Sequence, residues 1–67
     1  MNIILNNTLT SLPDEVRTLE DLIKWKNIPT SATAIAINGK IANLSKASIT
    51  HLQPEDSVMV ITAAFGG

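Results

Sequence analysis

One stretch of this chain has helical spacing, and it lies between segments that all read as strands. Thr18 has the chemistry of a helix N-cap, with Asp21 three residues later in a form of the capping box. Glu20 and Asp21 place negative charge in the first turn, and Lys24 and Lys26 place positive charge in the last, as the helix dipole favours. Val16, Leu19, Leu22, Ile23 and Lys26 recur near one face, with Trp25 half buried at its edge. Ile28-Pro29 closes the helix, because the residue before a proline avoids the α region. The chain has 67 residues, enough for one small core and little else. The strands on either side of this helix must therefore share a sheet and bury one face of it against the helix.

Asn2-Ile3-Ile4-Leu5-Asn6 is short, β-branched and bounded by polar residues, which predicts a strand. Asn6-Asn7 tolerates the positive φ of a tight turn, and Thr8-Leu9-Thr10-Ser11-Leu12 then alternates like a half-buried second strand. Pro13-Asp14-Glu15 ends that hairpin. Beyond the helix, Thr33–Ile37 reads as a strand turning at Asn38-Gly39, and Lys40-Ile41-Ala42 as a brief return. Residues 45–51 predict a short helical turn or loop, Leu52 to Asp56 a turn, and Ser57 to Thr62 the last and most apolar strand. The fold class is α+β: a β-grasp, with a mixed sheet of four to five strands and one main helix across one face. Residues 1–62 are expected to form a single domain, and residues 63–67 a flexible tail ending in Gly-Gly.

Composition excludes several classes of function. Five basic residues are scattered among six acids, leaving no stripe for a phosphate backbone, and only Trp25 and Phe65 could stack on bases. No nucleic-acid partner is expected. With no cysteine, disulfides, thiolate metal sites and thiol redox chemistry are absent. The apolar stretches are far below membrane-spanning length, and no charged segment precedes the first strand, so no membrane partner and a cytoplasmic location are expected. His51 is the lone histidine and reads as a solvated loop residue rather than a catalytic group. The acids occur as neighbours (Asp14-Glu15, Glu20-Asp21, Glu55-Asp56) at turns or a helix start, where acids belong without a catalytic role. No glycine-rich phosphate loop or nucleophile elbow is present. No catalytic residue, metal site or cofactor is expected in the chain itself.

Two features remain. In the last strand Val58 and Val60 point one way and Met59 and Ile61 the other, yet both sets are apolar. Val58 and Val60 join Ile3, Leu5, Ile35 and Ile37 in the core. Ile4, Ala34, Ala36, Met59 and Ile61 are left on the face the helix does not cover, a candidate protein-binding patch unless residues 42–52 fold over it. Met59 suits a surface that must accept more than one partner. The second feature is the end, Ala63-Ala64-Phe65-Gly66-Gly67, which holds two of the three glycines. Without Cβ atoms, Gly66 and Gly67 can present a free α-carboxylate inside a narrow slot. Phe65 suits an anchor in a partner groove, or else packs back on the sheet.

The whole chain resembles the ThiS-type ubiquitin-like sulfur carriers of thiamine biosynthesis. The resemblance lies in its length, the opening Asn2-Ile3-Ile4-Leu5-Asn6, Ala34-Ile35-Ala36-Ile37-Asn38-Gly39, the approach from Leu52 to Asp56 into an apolar last strand, and Gly66-Gly67. It departs from that family at Glu55-Asp56, where Gly-Asp is frequent, and between Ala42 and Thr50, which lacks the Pro-Arg and tryptophan of many members. The resemblance implies a protein co-substrate, monomeric when free, rather than an enzyme. It implies that an adenylating enzyme using Mg-ATP activates the Gly67 carboxylate, that a persulfide donor converts it to a thiocarboxylate, and that thiazole synthase receives the sulfur. Ala64, Phe65 and Gly66 would thread the partner's tunnel. Three alternatives stand beside it: a sulfur carrier for molybdopterin synthesis, a ubiquitin-like protein modifier, and a plain interaction domain with an idle tail.

Overall fold

The computed structural model describes residues 1–31 and 33–62. Strands β1 (Asn2–Leu5) and β2 (Thr8–Ser11) form the N-terminal hairpin, followed by helix α1 (Leu19–Trp25), β3 (Thr33–Ile37) and β4 (Lys40–Ile41). A 3₁₀ helix, Leu44–Ile49, precedes β5 (Ser57–Thr62). The sheet order is β2-β1-β5-β3-β4, so the last strand in sequence lies at the centre. It runs parallel to β1 and antiparallel to β3, which makes the sheet mixed, as a β-grasp requires.

Both hairpins turn on two residues of positive φ: Asn6 (48°) and Asn7 (66°), then Asn38 (52°) and Gly39 (83°). This is the backbone that matches the twist of antiparallel strands, and asparagine and glycine adopt it at least cost. Each first asparagine also ties its turn to β5. Asn6 Oδ1 accepts from Val60 N at 2.7 Å, and Asn38 Oδ1 accepts from Ser57 N at 2.9 Å. Asn38 Nδ2 in turn donates to the buried Asp56 carboxylate at 2.9 Å, whose other oxygen accepts from Gln53 N at 2.8 Å.

Helix α1 begins as its sequence dictates. The Thr18 hydroxyl accepts from Asp21 N at 3.2 Å, and the Asp21 carboxylate accepts from Thr18 N at 3.1 Å, a complete capping box. Asp21 also accepts from Arg17 N at 3.1 Å; these two backbone donors hold its carboxyl below the ordinary value of 3.8. The helix stops earlier than Pro29 alone would require. Asn27 takes a left-handed φ of 55°, and Ile28 N donates to Ile23 O at 2.9 Å, the six-to-one bond of a Schellman motif. Lys26 falls outside the core-facing stripe, its ammonium 5.2 Å from the centre of the Trp25 ring.

Ile3, Leu19, Leu22, Ile35 and Val58 are fully buried, and Leu5, Ile37 and Val60 pack against them. Each full burial contributes about 1.5–3 kcal/mol relative to exposure. Leu12, Val16 and Leu52 complete the core from the loops, and Ala47 from the 3₁₀ helix. The 3₁₀ helix therefore lies on the helix side of the sheet, with Leu19 N donating to Thr50 O and Leu52 N to Arg17 O, both at 2.8 Å.

Leu12, just past β2, is buried, whereas Leu9 is 70% exposed, because the turn pairs Leu9 with Ile4 on the opposite face.

Candidate functional site

The face of the sheet away from α1 is built by cross-strand pairing around β5. Ala34 lies opposite Ile61 and Ala36 opposite Met59 across the β3–β5 ladder. Ile4 lies opposite Ser57 across the parallel ladder. The five residues singled out from the sequence, Ile4, Ala34, Ala36, Met59 and Ile61, thus share one face. All are partly or well exposed, Ile61 at 53%. Residues 42–52 do not cover them, since that segment is packed on the helix side.

Two more residues belong to this face. Leu9 opposite Ile4, and Ile41 opposite Ala36, are each 70% exposed. The signal was in the turns. A two-residue turn at Asn6-Asn7 pairs Leu5 with Thr8, hence Ile4 with Leu9; one at Asn38-Gly39 pairs Ile37 with Lys40, hence Ala36 with Ile41. The apolar surface therefore extends from the β2 edge to the β4 edge. No strand position on this side carries a charge; Asn2, Ser11 and Ser57 are its polar members.

The polar groups offer no competing site. His51 is exposed and bridges Thr18, beside a shallow cleft formed with Met1, Val16, Arg17 and Leu52 on the far side of the sheet. Among the described residues no three potential metal ligands converge, and no helix is long and apolar enough to cross a membrane. Ala64, Phe65, Gly66 and Gly67, with the expected flexible tail, lie outside the described residues.

The geometry can be set beside known proteins. The model of the ThiS family matches residues 3–67. The chain belongs to the ThiS family. Among solved structures, the thiamine biosynthesis protein ThiS of Geobacter metallireducens superposes with a TM-score of 0.83. The match covers 100% of both chains at 16% sequence identity, a likeness of fold. A search of curated proteins by sequence gave no match.

Membership in the ThiS family gives a physical meaning to the departure at Glu55. That residue has φ +68°, the left-handed region where glycine is at ease. The frequent Gly-Asp of this family fits the backbone here, and Glu55 occupies it with its side chain turned to solvent. Asp56 keeps the place that the fold needs, its carboxylate bonded to Asn38 and Gln53.

Proposed function

We propose that this ThiS-family chain is a sulfur carrier for thiamine thiazole synthesis, acting as a protein co-substrate and not as an enzyme. The observation behind this reading is that β5, the strand at the centre of the uncharged apolar face, is the strand that leads into Gly66-Gly67. A partner seated on that face meets the strand from which residues 63–67 continue.

A carboxylate resists direct exchange of oxygen for sulfur and must first be activated. The Gly67 carboxylate, ionised at neutral pH with a reference pKa of about 3.5, attacks the α-phosphorus of ATP held with Mg by an adenylating enzyme. Pyrophosphate leaves and an acyl-adenylate forms. The terminal sulfur of a persulfide donor then attacks the acyl carbon and AMP departs. A second thiol cleaves the resulting S–S bond, and Gly67 is left as a thiocarboxylate for the thiazole synthase. Gly66 and Gly67 lack side chains because the partner's tunnel admits backbone alone, with Ala64 and Phe65 at its mouth. ATP and Mg belong to the partner.

The test is intact mass. Protein incubated with Mg-ATP, the adenylating enzyme purified from the same cells and a persulfide source gains a species heavier by exchange of one oxygen for sulfur, at Gly67. Gly66→Trp folds but gains none. Normal conversion of Gly66→Trp, or no conversion of the unsubstituted chain, refutes the reading. Thiol-stable adducts on lysine would point instead to a protein modifier, and transfer of the sulfur to a molybdopterin synthase to that pathway.

A further inference from the structure

Strand β1 ends at Leu5, whereas β5 runs on to Thr62. Along the flank where they meet, Ile4 N donates to Asp56 O at 2.8 Å and Asn6 N to Val58 O at 2.9 Å. The next rung of a parallel ladder needs an acceptor for Val60 N–H. No strand backbone supplies it, since the chain has already turned at Asn6-Asn7. The acceptor is the Asn6 side chain, 2.7 Å away and 54 residues distant in sequence. Its amide oxygen stands where the carbonyl of a longer β1 would be. Among the described residues this is the last bond from the hairpin to β5, two positions before Thr62.

Asparagine meets two demands at this site. It accepts φ +48° more readily than most residues, and its short amide brings an oxygen to the Val60 N–H. Glycine would satisfy the turn alone; aspartate would keep an acceptor at the same reach.

We propose that Asn6 is a positioning residue for the chemistry at Gly67, setting the direction in which β5 delivers the C-terminal segment to the partner. The role rests on the carrier reading above. Five residues follow Thr62. If the Val60 rung opens, β5 parts from the hairpin earlier, and the point from which those residues leave the sheet is no longer fixed for chemistry that needs reacting atoms within about 3–3.5 Å. Asn6 keeps that rung closed, while its removal alters no side chain of the apolar face. Its loss therefore acts on turnover rather than on docking.

The test compares Asn6→Gly and Asn6→Asp with the unsubstituted protein in adenylate formation, measured by ATP–pyrophosphate exchange with the adenylating enzyme purified from the same cells. Hydrogen exchange of the Val60 amide is followed in each free protein. Asn6→Gly is expected to lower kcat about fivefold, the factor one net hydrogen bond is worth, with KM within about twofold. Its Val60 amide exchanges faster, while Asn6→Asp retains most of the kcat and the slow exchange. An unchanged kcat in Asn6→Gly, a loss confined to KM, or equal impairment of Asn6→Asp overturns the role of Asn6 while the carrier reading stands. Absence of exchange with the unsubstituted protein overturns the carrier reading itself, and the role of Asn6 with it.

Discussion

Replacing Glu55 by glycine is expected to stabilise this protein although it removes a side chain. Glu55 sits at φ +68° with its amide donating to Asn2 O at 2.7 Å, so the turn into β5 depends on the backbone and not on the carboxylate. Among the described residues that carboxylate makes no ion pair, the one pair there being Lys24 with Glu20. A side chain held in the left-handed region costs about 1–2 kcal/mol. Glycine removes that cost but loses about 0.5–1 kcal/mol more chain entropy on folding. The difference favours Glu55→Gly by about 0–1.5 kcal/mol. For a domain of this size the middle of that range, about 0.75 kcal/mol, should raise the thermal midpoint by about 3–6 °C. Circular dichroism during heating and in urea reads it, with an unchanged urea slope marking a change in stability alone. A competing cause is relief of repulsion between Glu55 and the buried Asp56, which Glu55→Ala would capture equally well. A gain in Glu55→Ala matching that in Glu55→Gly, or a lower midpoint for Glu55→Gly, refutes the argument from backbone conformation.

Two further predictions concern the face and the helix cap. Ile61→Asp, at a position 53% exposed, should alter stability by less than about 1 kcal/mol yet weaken binding to the adenylating enzyme at least tenfold, as measured by calorimetry. Undiminished binding would remove this face from the interface. The lowered pKa of Asp21 comes first from the Arg17 amide and then from the Thr18 amide, so the bonds favour the ionised form in the folded state. Its stabilising contribution is complete above the unfolded value of 3.8 and disappears as pH falls through the lower folded value. The stability gap between the unsubstituted chain and Asp21→Asn should therefore narrow below pH 3.8, seen as converging urea midpoints; a gap independent of pH would contradict the capping box as its source.

Local chemistry made much of this fold legible. Thr18 and Asp21 mark the helix start, Asn38-Gly39 a hairpin, and the double apolar character of Val58 to Ile61 a strand covered on one side and exposed on the other. Ile4, Ala34, Ala36, Met59 and Ile61 share the uncovered face, and Leu9 and Ile41, not singled out from the sequence, lie on it as well. Alternation within one strand does not say which face is buried; pairing across a turn does, and Leu9 and Ile41 follow from the two-residue turns once their register is applied. The helix end was misplaced for a different reason. Pro29 forbids continuation, but Asn27 in the left-handed region had already ended the helix, a role that asparagine signals more weakly than glycine does. The bond from Asn6 to Val60 was beyond reach, because it depends on β1 stopping short of the strand beside it.

The placement of β5 also governs how the molecule is made. The sheet order puts residues 57–62 between residues 2–5 and 33–37, so two flanks of the sheet, separated by most of the sequence, meet only through the strand synthesised after both. Until that strand arrives, β1 and β3 have no common neighbour, and the β-hairpins can gain only local order. Pairings of such long range close more slowly than the local contacts of a helical bundle. A nascent chain lacking β5 would expose Ile3 and Ile35, both fully buried in the finished fold, with nothing to bridge them. Assembly is thus held back until residues 57–62 have been made.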